Sequence, residues 1–205
     1  LGPHGTHKLL HISQEMAKEA GLPGICFIAM KWPEAAVDAQ AIETLKADGF
    51  SMTSIYHYMG TGDRTPANPA RYDFSLVAES SPEFWNRNHK AGVLPFLPNL
   101  STGWNDFPWH FYGGTAVENR TPELFREICR DARRFADRTG IRRLVLAPLN
   151  EWGEGSYAEP NREYKFKMYE AVRDAFATPP SGGWPLNYGP EAVGLGPYPL
   201  DPAAP

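Results

Sequence analysis

Two acidic residues three positions apart stand in the segment Asn150 to Pro160, which reads Asn-Glu-Trp-Gly-Glu-Gly-Ser-Tyr-Ala-Glu-Pro. Cleavage of a glycosidic bond needs one carboxyl group to protonate the departing oxygen and a second to stabilise or attack the positive charge that develops at the sugar carbon. Glu151 and Glu154 could supply that pair. The alternative is a solvated acidic turn with Trp152 as a packing residue, and the spacing alone does not decide between the two.

The apolar run 144–149 places this pair at the end of a predicted strand. Glu151 then falls at the mouth of the strand, and Glu154 lies about one turn of loop later. Gly153 and Gly155 allow the turn to bend back, so that both carboxylates flank one bond. Their separation decides the chemistry, because about 5 Å favours a covalent nucleophile and roughly 6.5 to 9.5 Å leaves room for a water molecule.

The elements that must position these residues alternate between strand and helix. A helix over 6–20 comes first, and four strand-then-helix units follow it. The units are 24–30 with 33–48, 51–58 with 82–90, 93–100 with 122–139, and 143–150 with 162–177. This alternation predicts parallel strands with right-handed crossovers. The loops after the strands, 59–81 and 101–121, are long, as is typical of a TIM barrel.

The predicted fold class is therefore α/β, of the (β/α)8 TIM-barrel type, with this chain supplying only about the last four β/α units, because a complete barrel takes about 250 residues. Residues 1–177 form the predicted partial barrel catalytic domain, and 178–205 form a Pro/Gly-rich C-terminal tail. Half a barrel leaves two strand edges and an apolar face uncovered. We expect a missing N-terminal half of the barrel, or a second copy of the chain, to cover them. An open α/β sheet closed by its own helices is the alternative fold.

Polar and aromatic residues also follow the other predicted strands. Aromatic rings stack on the C–H-rich faces of sugars, and amide, carboxylate and imidazole groups bind hydroxyls. The predicted substrate-binding residues are Tyr56, His57, Tyr58, Trp104, Asn105, Asp106, Asn150, Trp152, Tyr157 and Glu159. Trp109, Phe111 and Tyr112 could extend the same groove. Each of these aromatic residues, taken singly, is more often a packing residue.

Composition excludes several other classes of function. The net charge of −4 and pI near 5.9 give no basic surface for nucleic acid. No apolar stretch is long enough for a membrane span, so we expect a soluble protein. The chain starts at Leu1 without Met, so an export signal could lie upstream, and the compartment stays open, with periplasmic or secreted locations included. Cys26 and Cys129 are predicted to be buried free thiols. No H-E-x-x-H motif, paired-Cys spacing or nucleotide-binding loop is present, so we expect no cofactor and no metal. His4, His7 and His11 have a helix-like spacing that could bind a metal, but a polar helix face is the simpler interpretation.

The chain resembles the family 99 glycoside hydrolases (endo-α-mannosidases), and still more their relatives, the WbsX-type proteins found with polysaccharide genes. The resemblance rests mainly on the eleven-residue motif from Asn150 to Pro160, which is quite specific. Looser support comes from 48–56 and from 103–108. The resemblance implies a (β/α)8 fold, retention of anomeric configuration and no metal.

In those hydrolases the carboxylate that matches Glu151 deprotonates the sugar 2-hydroxyl, which then attacks the anomeric carbon. The one that matches Glu154 acts as general acid and then as base. The chain departs from the family pattern at three positions. Gly153 stands where the mannosidases carry His, and Asn105 and Trp109 replace an Asp and an Arg of the WbsX-like segment, so the resemblance leaves the identity of the sugar open.

We therefore expect a glycoside hydrolase that cleaves polysaccharide or glycan chains with a carboxylate pair. WbsX-type proteins are often described as glycosyltransferases of surface polysaccharide assembly, which is the second interpretation. The absence of a D-x-D metal motif and of a phosphate loop counts against it. A non-catalytic carbohydrate-binding half-domain is the third.

Overall fold

The computed structural model describes residues 5–31, 38–58, 71–110 and 114–194. Its helices are α1 Gly5–Glu19, α2 Ala39–Asp48, α3 Phe74–Ala91, α4 Pro122–Thr139 and α5 Lys167–Phe176. Its strands are β1 Ile28–Lys31, β2 Met52–Ile55, β3 Arg71–Asp73, β4 Asn99–Ser101, β5 Ala116–Glu118, β6 Val145–Ala147, β7 Asn150–Glu151 and β8 Ser156–Tyr157. This mixture of helices and strands confirms the α/β class. None of the described helices is both long and apolar enough to cross a membrane.

Four strands lie side by side in chain order and run parallel. Strand β1 pairs with β2, and β4 pairs with β6. A parallel bridge between Thr53 and Phe96 joins β2 to the segment that leads into β4. The C-terminal ends of all four strands therefore lie at the same edge, which is the geometry that brings the following loops together. Within the described ranges no pairing closes β1 onto β6, and the barrel remains a prediction.

Helix α4 begins and ends at the predicted residues, because both termini carry strong local signals. The Thr121 hydroxyl accepts a hydrogen bond from the Leu124 amide at 3.2 Å, and Pro122 occupies the first turn. Gly140 ends the helix in the left-handed region with φ 75°. The buried face of α4, with Phe125 and Ile128, packs against the strands and against α3 and α5.

Helix α3 is nine residues longer than predicted, and Pro82 lies inside it rather than at its start. The Asp73 carboxylate caps the helix by accepting from the Ser75 amide at 2.8 Å. An internal proline costs about 3 kcal/mol. The apolar face continues through it, however, since Phe74 and Trp85 are fully buried on either side. Burying two such side chains contributes about 1.5–3 kcal/mol each, which offsets that cost.

The first strand differs from its prediction in both bounds and burial. It spans Ile28–Lys31, with Ala29 buried but Ile28 37% and Met30 49% exposed, so only one face is covered. The prediction that both faces of this strand are buried was wrong. An apolar run predicts that a strand packs against other groups, but it does not show whether those groups belong to the same chain.

The two cysteines differ in burial. The prediction of a buried Cys26 was wrong, since this thiol is exposed. Cys129 is buried, and burial raises the pKa of its thiol to about 12.

Helix α2 begins at Ala39, where Asp38 caps it by accepting from the Ala41 amide at 3.1 Å. Pro33, the predicted start, lies outside the described residues. The remaining predicted bounds differ from the structure by a few residues. Helix α1 is displaced by one residue, and β2, β6 and α5 are shorter than predicted at both ends. Strand β4 begins six residues later than predicted and ends one residue later.

Two short strands lie where only loops were predicted. Strands β3 and β5 run parallel, with Arg71 opposite Ala116 and Asp73 opposite Glu118. Three residues are too few for an alternating pattern to stand out in the sequence. Their pairing joins the long segment after β2 to the long segment after β4 at the edge where the strands end.

The first part of the predicted tail lies along α5. The Arg173 guanidinium is 4.8 Å from the centre of the Trp184 ring, and the Asn187 amide donates to Glu170 Oε1 at 2.7 Å. A short 3-10 helix, Pro190–Val193, follows. The division into a catalytic domain ending at 177 and a separate tail stays a prediction.

Candidate functional site

Both candidate catalytic carboxylates lie on a tight hairpin that follows β6. Strand β6 ends at Ala147, and β7 then pairs antiparallel with β8, with Glu151 opposite Ser156. The 3-10 helix Trp152–Glu154 and Gly155 connect these two strands. Gly155 has φ 59°, in the left-handed region that glycine adopts without strain. The predicted strand over 143–150 is thus divided, and the glycine-dependent bend occurs at 155.

The hairpin is fixed to the loop that follows β4 by three hydrogen bonds. The Asn105 amide donates to Glu154 O at 2.6 Å, and the Ser156 hydroxyl donates to Gly103 O at 2.5 Å. Trp109 Nε1 donates to Gly153 O at 2.7 Å. Segments that follow two neighbouring parallel strands are therefore held together around Glu154.

Four ionisable side chains from three strand ends interact in this region, and we call them the carboxylate cluster: Tyr56, Asp106, Glu151 and Glu154. Burial raises the pKa of Glu154, and the negative charges of Glu151 and Asp106 raise it further. Burial also raises the pKa of the Tyr56 hydroxyl, with added effects from Glu154 and Glu151. Such mutual effects require the groups to be near one another. A carboxyl with a raised pKa holds its proton closer to neutral pH, as a general acid must.

Two indole rings lie beside the backbone of the carboxylate hairpin, and both are largely exposed. Trp109 is 66% exposed and Trp152 is 48% exposed. The Trp152 ring stacks on Tyr157, with 4.1 Å between centroids, and its Nε1 donates to Glu159 Oε2 at 2.9 Å. Trp152 is therefore not a core residue. Because both indole N–H groups already have protein acceptors, the rings offer mainly their apolar faces to a ligand.

Gly153 lets the Trp109 ring approach the hairpin closely. A Cβ atom at position 153 would come within 3.0 Å of Trp109 Cζ2. The glycine therefore leaves the room that the indole occupies, which ties the identity of residue 153 to the position of this exposed ring.

His57 contacts Tyr56 of the carboxylate cluster and is 2% exposed. Its ring makes edge contacts with Tyr56 and Trp104, each with 4.5 Å between centroids. Both ring nitrogens of His57 and the indole nitrogen of Trp104 lack a hydrogen-bond partner among the described residues. Burial lowers the pKa of His57 to about 4, so the ring is neutral at pH 7. Buried polar groups without partners are uncommon, and here three such nitrogens lie on two rings that contact each other.

The remaining predicted residues occupy different surroundings. Tyr58 packs in the core, where its ring stacks on Phe84 and its hydroxyl donates to Ser80 Oγ at 2.9 Å. Asn105 Oδ1 accepts from the Phe107 amide at 3.1 Å, within its own loop. Asn150 is exposed on β7. Phe111 and Tyr112 lie outside the described residues.

Arg120 is part of this region, although no pattern in the sequence pointed to it. Its Nη1 donates to Gly155 O at 2.9 Å and also to Thr102 O. Its guanidinium lies 4.3 Å from the centre of the Tyr157 ring. A lone arginine before a helix carries no signal, because its partners are 18 and 35 residues away along the chain.

An open groove of about 610 Å³ lies at the opposite end of the strands, before β1 and β2. Residues of α1 and of the segment before β1, including Gln14, Lys18 and Cys26, line it together with Ser51. No member of the carboxylate cluster contributes to this groove, and it is not the candidate site.

Because His57 is buried in its neutral form, stability is expected to fall as the pH drops. The folded pKa of about 4 is below the unfolded value of about 6.5. The contribution of neutral His57 is therefore complete above pH 6.5 and is lost as the pH falls toward 4, by about 2 kcal/mol at pH 5. His57→Phe should lose this part of the pH dependence in urea unfolding at pH 7 and pH 5. His11→Gln, a variant at an exposed position, should keep the loss of unfolding free energy between pH 7 and pH 5. An equal loss in His57→Phe and in the unchanged protein would contradict the assignment.

Comparison with known proteins gives matches of two kinds, to a family model and to solved structures. The family model described as "Glycosyltransferase WbsX" matches residues 4–172. Among solved structures, one described as "Glycoside hydrolase-like protein" has a TM-score of 0.63 and 13% sequence identity. That match covers 84% of this chain and 50% of the other, so the chain spans about half the length of that protein. At this identity the likeness concerns the fold. No curated protein matches the chain.

Proposed function

The chain belongs to the WbsX glycosyltransferase family, and from this premise we propose that it is a carbohydrate-active enzyme, specifically a glycoside hydrolase that cleaves O-glycosidic bonds in polysaccharides or glycans. The observation that carries the proposal is the carboxylate cluster, in which burial and two neighbouring carboxylates raise the pKa of Glu154. A glycosidase needs an acid of this kind beside a second carboxylate.

In the proposed reaction Glu154 gives its proton to the departing glycosidic oxygen as the bond to the anomeric carbon breaks. Glu151 takes the proton of the sugar 2-hydroxyl, whose oxygen attacks that carbon. The attack closes a three-membered ring between the 2-oxygen and the anomeric carbon. Glu154, now ionised, takes a proton from the water that attacks the anomeric carbon and opens this ring, and Glu151 returns its proton to the 2-oxygen. Two displacements at one carbon give net retention of configuration.

Substrate binding is proposed for the side chains around the cluster. The exposed faces of Trp109 and Trp152 suit the apolar faces of pyranose rings. The nitrogens of His57 and Trp104 are unpartnered but buried, so a sugar hydroxyl would bind them only after the side chains that cover them move. The other predicted contacts, from Tyr56, Asn105, Asp106, Asn150, Tyr157 and Glu159, belong to the same proposal.

The experiment is a direct assay of bond cleavage. The protein is incubated with a panel of bacterial and plant polysaccharides and N-glycans, and newly formed reducing ends are measured, with proton NMR of the first product to assign its anomeric configuration. Retention supports the reaction written above, and inversion excludes it. Release of no reducing ends from any member, together with calorimetric binding of a nucleotide sugar, would favour a glycosyltransferase.

The glycosyltransferase is the second candidate because of the description that the matching family carries. A third candidate, a carbohydrate-binding half-domain without catalysis, would bind glycans in the same assay without cleaving them.

We also propose that the parallel strands belong to a (β/α)8 barrel of which this chain supplies about half. Support comes from the strand order and from the structural match, which covers only 50% of the neighbour. Apolar side chains are exposed on α1 and β1: Leu9, Ile12, Met16, Ile28 and Met30. The first three share one face of α1, since they are spaced by three and four residues. This face suits either the upstream half of the barrel or a second copy of the chain, and light scattering at several concentrations separates a dimer from a monomer.

A further inference from the structure

We propose that Arg120 is a positioning residue for the carboxylate pair, fixing the hairpin of Glu151 and Glu154 against the loop after β4. The inference rests on the proposed function for its chemical meaning, but the contacts are independent of it. One guanidinium nitrogen donates both to Gly155 O, one residue after Glu154, and to Thr102 O, one residue after β4. A single side chain thus joins the segments that follow two adjacent strands.

The guanidinium is itself held in place on several sides. It lies over Tyr157 at 4.3 Å and over Tyr164 at 5.2 Å from the ring centres. The Tyr164 hydroxyl donates to the backbone oxygen of Arg120 at 3.0 Å. Gly103 makes room for it, because a Cβ there would lie 3.0 Å from Arg120 Nη1. Tyr157 of β8 and Tyr164 of the segment before α5 therefore hold this one group, and Gly103 in the loop after β4 leaves the space that it occupies.

The arrangement uses properties that distinguish arginine from lysine. A planar guanidinium can stack on aromatic rings while its N–H groups donate in the plane to two carbonyl oxygens. An ammonium group has no such plane and could keep only part of these contacts. The position of Arg120 directly before Thr121, the cap of α4, also gives the simpler alternative that the residue only stabilises the fold.

The test measures the carboxyl of Glu154 itself, by carbon-13 NMR titration of the side chain in the full chain. In Arg120→Gln the hairpin is released, Glu154 gains solvent and moves away from Glu151 and Asp106, and the pKa of its carboxyl is expected to fall toward the ordinary glutamate value. Arg120→Lys should give a smaller fall. Arg138→Gln is the matched control, because Arg138 also contacts an aromatic ring and donates to a side chain, Asn86, but lies away from the hairpin.

A purely structural role would lower the melting temperature in Arg120→Gln and leave the pKa of Glu154 unchanged, and that result overturns the proposal. If Arg120→Gln does not fold, Arg120→Lys decides, since a pKa of Glu154 equal to that of the unchanged protein would again overturn it.

The kinetic readout separates this inference from the proposed function. With a cleaved glycan in hand, Arg120→Gln is expected to lower kcat about tenfold or more with KM nearly unchanged, because small displacements of a catalytic group are costly, and Arg120→Lys should restore part of the loss. If no glycan is cleaved, the hydrolase proposal fails while the NMR result still stands. If cleavage is established and both kcat and the pKa of Glu154 are unaffected by Arg120→Gln, only the positioning role fails.

Discussion

Glu154→Gln is expected to lower the rate of glycosidic cleavage by about 10²- to 10⁴-fold, the usual contribution of a general acid–base group. Glutamine has nearly the same shape as glutamate, but it cannot give a proton to the departing oxygen. In the unchanged protein the acid must be protonated to act, so kcat should fall as the pH rises through the raised pKa of Glu154. This alkaline limb should disappear in the variant, and initial rates measured as reducing ends across pH 4 to 9 would show it.

Unfolding cannot explain such a loss. The raised pKa means that the ionised form of Glu154 is disfavoured in the folded protein, so its contribution to stability is complete at low pH and is lost as the pH rises. Replacing this carboxylate by a neutral amide is therefore expected to leave the melting temperature at pH 7 unchanged or slightly higher. A stabilised but inactive variant is the usual mark of a functional residue.

Glu151→Gln should also lose activity, because the amide cannot accept the proton of the sugar 2-hydroxyl. It should at the same time lower the pKa of Glu154, since one of the negative charges that raise it is removed. Glu127→Gln, at an exposed position of α4, is the control and should change neither property. Activity near that of the unchanged protein in both Glu151→Gln and Glu154→Gln would end the hydrolase proposal.

The sequence predicted the convergence of Tyr56, Asp106 and the two glutamates because of a topological rule. Parallel strands joined by helices end at one edge, so residues that directly follow them must lie close together whatever the details of the loops. The same argument could not find Arg120, whose role depends on which side chain reaches across from one loop to another. The rule also includes residues that do not reach the site. His57 contacts Tyr56 of the carboxylate cluster, whereas the next residue, Tyr58, packs on Phe84 in the core.

Local chemistry explains which elements were predicted to the residue. Helix α4 carries a capping threonine, a proline in the first turn and a glycine after its end, and each signal acts within a few residues. Helix α3 was predicted too short because Pro82 was interpreted as a start signal, whereas buried side chains on both sides of it keep the helix intact. The exposed face of β1 could not be predicted, because burial of a strand face depends on which other elements pack against it and not on the residues of the strand.

Gly155→Ala is expected to destabilise the protein by about 3 kcal/mol, through two effects that can be separated. A non-glycine residue in the left-handed region costs about 1 kcal/mol, and the φ of 59° places Gly155 there. The added Cβ would also lie 2.8 Å from Asn105 Cβ and 3.3 Å from the Asn105 amide nitrogen. Forcing a methyl group into such a contact costs about 1–3 kcal/mol more.

Gly140→Ala isolates the first effect, because Gly140 has φ 75° and an added Cβ would find nothing within 4 Å. This variant should lose only about 1 kcal/mol in urea unfolding. The difference between the two variants measures the clash with Asn105. That clash has a functional consequence, since the Asn105 amide holds Glu154 O at 2.6 Å and must move to make room. Gly155→Ala should therefore also lose most of its cleavage activity under conditions where it remains folded, and Gly140→Ala should not. Equal losses of stability and full activity in both would mean that the hairpin and the loop after β4 are not in contact as described.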